Sequence, residues 1–116
     1  MSERFGRDRR LGRRNEFRQV YAEGKVYATD LFVCYARDTG NTAQPARLGL
    51  AASRQTGAAH DRNRYKRWAR EQFRRQMVRA GTELVISFRP AMASATFDQF
   101  RSALLDVFRR ARLLES

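Results

Sequence analysis

The segment Asp61-Arg62-Asn63-Arg64-Tyr65-Lys66-Arg67-Trp68-Ala69-Arg70-Glu71-Gln72-Phe73-Arg74 carries most of what the sequence says about architecture. An α-helix turns by about 100° per residue. On that wheel Tyr65, Trp68, Ala69, Gln72, Phe73 and Gln76 fall within about 80° of Tyr65 and form a face suited to burial. Asn63, Lys66, Arg67, Arg70 and Arg74 occupy a separate arc, roughly 100–200° away. Arg62 and Arg64 add charge near the start of the helix, and Arg75 adds more further along. Asp61 is placed to cap the helix, which is expected to run to about Ala80, where Gly81 stops it.

A solvated basic face is the ordinary explanation of such an arc. Solubilising faces usually mix signs, however, and only Glu71 on the flank interrupts this one. Like charges at Lys66–Arg70 and Arg70–Arg74 cost the helix about 0.2–0.5 kcal/mol each, a cost that bound phosphates would offset. Asn63 brings a donor and an acceptor into the basic field, which suits hydrogen bonds to sugars or bases. The arc points to nucleic acid.

Outward from this helix, Thr82–Phe88 is a tight apolar run, expected as a strand that Pro90 closes. Thr96 and Gln99 form a capping-box pattern opening a last helix, with Phe97, Phe100, Leu104, Val107, Phe108 and Ala111 along one stripe. Upstream, Arg47–Ser53 reads as a strand in which Gly49 marks a bulge or a close approach. Arg54–His60 and Asp38–Pro45 are loops by composition. Lys25–Arg37 is rich in Tyr, Val, Phe and Thr, and is expected as extended structure, with Asp30 at a break or a hairpin tip. Phe17, Val20 and Tyr21 give the spacing of a short helix that Gly24 ends. Residues 1–14 are expected as a flexible basic arm, and 15–112 as a single domain. The order α-β-β-β-α-β-α implies an α+β fold with helices packed on a small sheet.

Lys and Arg number 24 against 12 Asp and Glu in 116 residues, a net charge of +12. Nearly all the cations are Arg, whose planar fork grips phosphate and stacks on bases. Eight Phe, four Tyr and one Trp supply a core that a disordered basic tail would lack. No apolar run approaches a membrane span, and no apolar segment follows the basic N-terminus as in a secretory signal. Cys34 and His60 are each the single residue of their type, which excludes internal disulfides and multi-histidine or multi-cysteine metal sites. They suggest a reducing, cytoplasmic setting. The scattered carboxylates offer no catalytic pair, so no catalytic residue, metal ligand or small-molecule cofactor is assigned.

The run Arg62-Asn63-Arg64-Tyr65-Lys66-Arg67-Trp68-Ala69-Arg70-Glu71 resembles the signature helix of the bacterial ribonuclease P protein subunit. Phe17-Arg18-Gln19-Val20-Tyr21 with Gly24 is similar to that family's first helix, and Arg47-Leu48-Gly49-Leu50-Ala51-Ala52-Ser53-Arg54 to its strand before the signature helix. The resemblance implies a small α/β sandwich, ribosomal protein S5 domain 2-like, with a left-handed βαβ crossover against the general rule. It implies a ribonucleoprotein that removes the 5′ leader of precursor tRNA, in which the catalytic RNA does the chemistry with bound Mg²⁺. Carried over by position, Arg62, Asn63, Arg64, Lys66, Arg67, Arg70, Arg74 and Arg54 would bind RNA. Phe17, Tyr21 and Tyr35 would contact the single-stranded leader, with plain core packing the alternative for each. Gln55 stands where the family often has a second basic residue, and Tyr65 and Trp68 replace aliphatic ones. The alternative function is a non-enzymatic RNA-binding module of ribosomal-protein type.

Overall fold

Thr82-Glu83-Leu84-Val85-Ile86-Ser87-Phe88 puts Leu84, Ile86 and Phe88 on one side of its pleat and Val85 on the other, a pattern that suits a strand covered on both faces. In the computed structural model, which describes residues 9–114, this segment is the strand β4 at the interior of a four-stranded sheet. Ahead of it come α1 (Arg14–Glu23), β1 (Lys25–Ala28), β2 (Phe32–Asp38), β3 (Arg47–Ala51) and α2 (Ala59–Arg75); α3 (Phe97–Arg110) follows. The element order is the expected one, and short 3-10 turns at Arg54–Thr56 and Pro90–Ser94 are added to it.

The sheet order is β1-β2-β4-β3. β2 runs antiparallel to both β1 and β4, while β3 is parallel to β4, so α2 forms the crossover between two parallel neighbours. The β1–β2 hairpin turns at Thr29, whose hydroxyl accepts the Leu31 and Phe32 amides, both at 3.1 Å, so Asp30 lies at a hairpin tip.

Alternation along the strands sorts the side chains onto two faces. One face presents Phe32, Cys34, Leu48, Leu84, Ile86 and Phe88 to α2 and α3, and is the main core. There the Phe100 ring meets Phe32 at 5.7 Å and Phe88 at 6.1 Å, and Tyr65 meets Phe88 at 5.9 Å. The Thr96–Gln99 capping box forms as expected, and the apolar stripe of α3 is buried at Phe100, Leu104, Val107 and Phe108.

The other face is organised in rows. Arg37, Glu83 and Arg47 are cross-strand neighbours, and Tyr35, Val85 and Gly49 form the next row. Glu83 is only 8% exposed, and its carboxylate accepts from Arg37 Nη1 at 2.7 Å and Arg47 Nη1 at 3.4 Å. The same two guanidiniums reach out to α1, Arg37 to Glu23 and Arg47 to Glu16. Four charges thus place both ends of α1 over the sheet. Burial tends to raise the Glu16 carboxyl, but the Arg13 and Gly12 amides and the Arg47 guanidinium together hold it below its ordinary value. Between these anchors Val20 packs on Val85 with Leu11, Phe17 and Tyr35.

Three expectations are corrected. α2 starts at Ala59, with Ala58 as its cap residue, and Asp61 sits in its first turn, where it favours the helix N-terminus without capping it. α2 also ends at Arg75 rather than near Ala80. Val78 turns inward to bridge Leu114, and the Arg79 amide donates to the Leu113 carbonyl at 2.7 Å, so tertiary burial ends the helix early. Gly81 still marks a break, in a turn with φ of 83°. Third, the expected arm does not extend through residue 14. Arg10 bridges Leu48 at the β3 edge, the Leu11 amide donates to the Leu48 carbonyl at 3.0 Å, and Leu11 is buried; residues 1–8 of the arm lie outside the described residues.

Gly49 is a close approach and not a bulge. A Cβ there would lie 2.7 Å from Phe17 Cζ and 3.1 Å from Leu11 Cβ. Gly49→Ala is therefore expected to destabilise the protein by about 1–3 kcal/mol in urea unfolding. Adding Phe17→Ala should recover part of that loss, whereas simple additivity of the two substitutions would show that the contact is not the cause.

Candidate nucleic-acid interface

The basic helix rests on the sheet through the face the wheel assigned to burial. Tyr65, Ala69, Gln72 and Phe73 are buried, Trp68 is half-buried, and Gln76 falls just beyond the helix end. On the outward arc Asn63 and Arg67 are exposed, while Lys66, Arg70 and Arg74 are half-buried. The five lie along one side of a rigid rod, but they are not equally free. Arg74 pairs with Glu71 at 3.3 Å, and Arg75 reaches the same carboxylate at 3.6 Å.

Arg62 and Arg64, near the helix start, are half-buried and held close to the protein. The Arg64 guanidinium lies 5.6 Å from the Tyr65 ring centre and 5.4 Å from that of Trp68, and pairs with Asp61 at 3.5 Å. The Nε atoms of Arg62 and Arg64 are buried without a hydrogen-bond partner. A guanidinium fixed at its stem presents its terminal nitrogens at low entropic cost. Arg54 stands exposed in the 3-10 turn between β3 and α2, one turn of chain from the helix start.

The sequence reading overlooked two members of this surface. Arg9 lies over the Phe73 ring at 5.2 Å, with its Nε buried and unpartnered. Arg10 comes near enough to Arg70 that burial first, and then the Arg10 charge, push the Arg70 guanidinium below its ordinary value. The signal was present as the arginines at 9 and 10. What was missing was the docking of Leu11, which turns an arm into part of the surface.

Phe17, Tyr21 and Tyr35 come together on the opposite face of the sheet. The Tyr21 and Tyr35 rings meet edge to face at 4.7 Å, and Phe17 and Tyr21 lie 6.3 Å apart. Phe17 is committed to packing against Gly49 and Leu11, whereas Tyr21 is 40% exposed. Beyond them the row Val33, Ser87 and Ala51 is half-buried, and Val26 on the edge strand is 57% exposed. The result is an aromatic-walled strip of sheet beside α1. The segment Arg9–Leu11 runs along the β3 edge between this strip and α2.

Cys34 is fully buried, and burial pushes its thiol up to about 12, so it is neither nucleophile nor metal ligand at neutral pH. His60 is exposed beside Asp61. Among the described residues no helix is long and apolar enough to cross a membrane.

Comparison with known proteins accords with this geometry. The chain matches the family model for Ribonuclease P over residues 5–112. It belongs to the ribonuclease P protein family. The ribonuclease P protein component of Thermotoga maritima is 34% identical over 116 residues, covering 95% of this chain and 97% of that one. That of Legionella pneumophila is 41% identical over 93 residues, covering 79% of each. Among solved structures, the Staphylococcus aureus ribonuclease P protein superposes with a TM-score of 0.81 at 26% identity over 92% of this chain and 98% of that one. The Thermotoga maritima protein gives 0.77 at 32% identity, again over 92% and 98%. With membership goes the role of a ribonuclease P protein subunit in tRNA processing.

In this family member the α2 surface is dominated by arginine and lysine, so RNA affinity there is expected to fall steeply with salt. With six or more phosphate contacts, filter binding is expected to show at least about a thousandfold loss between 50 and 200 mM salt. A flat response would contradict a phosphate interface.

Proposed function

We propose that the chain docks the catalytic RNA of ribonuclease P on the α2 surface and guides the 5′ leader of precursor tRNA along the aromatic strip beside α1. The observation that carries this reading is the two-sided construction. A fixed basic rod on one layer and exposed aromatics on the other let one small domain touch two RNA segments at once.

On the α2 side, Arg62, Asn63, Arg64, Lys66, Arg67, Arg70 and Arg74, with Arg54 at the entrance, supply bidentate and point-charge contacts to phosphates. On the other side, Tyr21 and Tyr35 stack on leader bases. Each stacked base is worth about 1–3 kcal/mol and tolerates any sequence, as a processor of many precursors requires. Phe17 acts mainly by packing, setting the height of α1 above Gly49.

The chemistry is assigned to the RNA. The carboxylates nearest the basic surface, Asp61 and Glu71, are paired with arginines, and no group of His, Cys, Asp and Glu among the described residues suits a metal ion. The Mg²⁺ that such a reaction uses does not fit this chain's own side chains, and we place it on the RNA. The reading carries with it a left-handed hand for the β3-α2-β4 crossover, the ribosomal protein S5 domain 2-like class and a cytoplasmic location.

Reconstitution with a bacterial ribonuclease P RNA and precursor tRNA at low Mg²⁺ tests the assignment. Cleavage should be markedly faster with the protein than without it, and equal rates would defeat the proposal. In the same assay Tyr21→Ala and Tyr35→Ala should each weaken binding of leader-bearing precursor by roughly fivefold or more while sparing mature tRNA. Equal losses for both RNAs would remove the leader from the strip.

A further inference from the structure

Between α2 and α3 lies a groove of about 370 Å³, on the layer opposite the aromatic strip. That volume falls within the roughly 300–1,000 Å³ range of small-molecule sites. Its walls are Trp68 and Phe97, whose rings meet edge to face at 5.4 Å, and Gln72 lines it from α2. Gln72 is 3% exposed, and its Oε1 has no hydrogen-bond partner. A buried amide oxygen without a partner costs about 1–3 kcal/mol, which asks for a ligand that satisfies it. At the rim stand Arg67, Arg75 and Arg101 against one carboxylate, Glu71, which is already held by Arg74 and Arg75.

We propose that this groove takes an unpaired RNA nucleobase, stacked against Trp68 and Phe97, with the Gln72 amide on its edge and Arg67 and Arg101 on the flanking phosphates. A glutamine amide offers a donor and an acceptor side by side, which can pair with the free edge of an unpaired base, and the two-ring face of adenine covers more of the Trp68 and Phe97 walls than a pyrimidine does. The ligand class is therefore a single-stranded, adenine-containing segment. The excess of positive charge at the rim disfavours an apolar peptide, and the two aromatic walls favour a flat base over the side chains of an acidic one. The inference rests on the RNA-binding role proposed above and adds a base site that shares only Arg67 with the outward stripe of α2 and nothing with the leader strip. Because the two recesses are on opposite layers, both can be occupied in one complex.

Trp68 is the single tryptophan, so its emission reports on this groove and on Arg64 stacked beside it, and the Gln72 and Arg101 variants separate the two. The experiment titrates the full chain, carrying Tyr21→Ala and Tyr35→Ala to weaken the other strip, with a labelled oligoadenylate and an oligouridylate. Anisotropy of the label reads binding, and Trp68 emission reads occupancy. Saturable quenching that favours oligoadenylate is expected. Gln72→Leu, similar in volume and fit for a buried site, should weaken oligoadenylate binding at least fivefold, and Arg101→Glu should weaken quenching at least tenfold. Binding seen by anisotropy with Trp68 emission unchanged, or affinities unaltered by both substitutions, would overturn the groove and leave the RNA-binding role standing. Absence of any oligonucleotide binding, together with failed reconstitution, would overturn both.

Discussion

β4 is pressed from both sides, and the other elements take their places from that constraint. Its core-facing residues Leu84, Ile86 and Phe88 bury against α2 and α3, while Val85 on the reverse side buries against α1. A strand so covered leaves few sites for a charge, yet Glu83 is there. Burying a carboxylate is tolerable only with partners that replace its water, and Arg37 and Arg47 stand on either side of it in the sheet. Because each guanidinium has donors to spare, the charge at Glu83 is relayed to Glu23 and Glu16, at the two ends of α1. The position of α1, and with it the strip of exposed sheet beside it, follows from one acidic residue in an apolar strand.

The same economy appears on the opposite layer. α2 is attached by Tyr65, Ala69 and Phe73, so its charged side faces solvent without freedom to roll. Its arginines are braced by aromatic rings, by Glu71 or by burial of their stems. Ordering them beforehand reduces the entropy that binding would otherwise cost. Arg9 and Arg10, brought in by Leu11, extend this surface around the β3 edge, so that positive charge is continuous from one layer towards the other.

Much of this was legible in the sequence because it depends on local periodicity. The faces of α2, the capping box of α3, the break at Gly24 and the strand at Thr82–Phe88 are set by neighbours within a few residues. What the sequence concealed depends on contacts between distant segments. The early end of α2 comes from Val78 meeting Leu114, and the shortened arm from Leu11 meeting Leu48. The Arg37–Glu83–Arg47 row joins three strands whose order periodicity does not reveal. At the site, the wheel found the outward residues of α2 correctly, but the bracing of Arg64 and the tie of Arg74 to Glu71 needed coordinates. Phe17 lies beside Tyr21, and its ring follows the packing alternative, set against Gly49 and Leu11.

Cys34 sits in the row between Tyr27 and Ile86, at the middle of the core face, with its thiol kept protonated by burial. It is covered by α2 and α3, and no surface of it is accessible while they stay on the sheet. Its chemical modification therefore runs at the pace at which the helix layer opens, and the folded protein holds an internal clock for that event. Any ligand that binds only the folded form slows the clock in proportion to how far it disfavours the open form, so one thiol turns occupancy of a distant surface into a measurable rate.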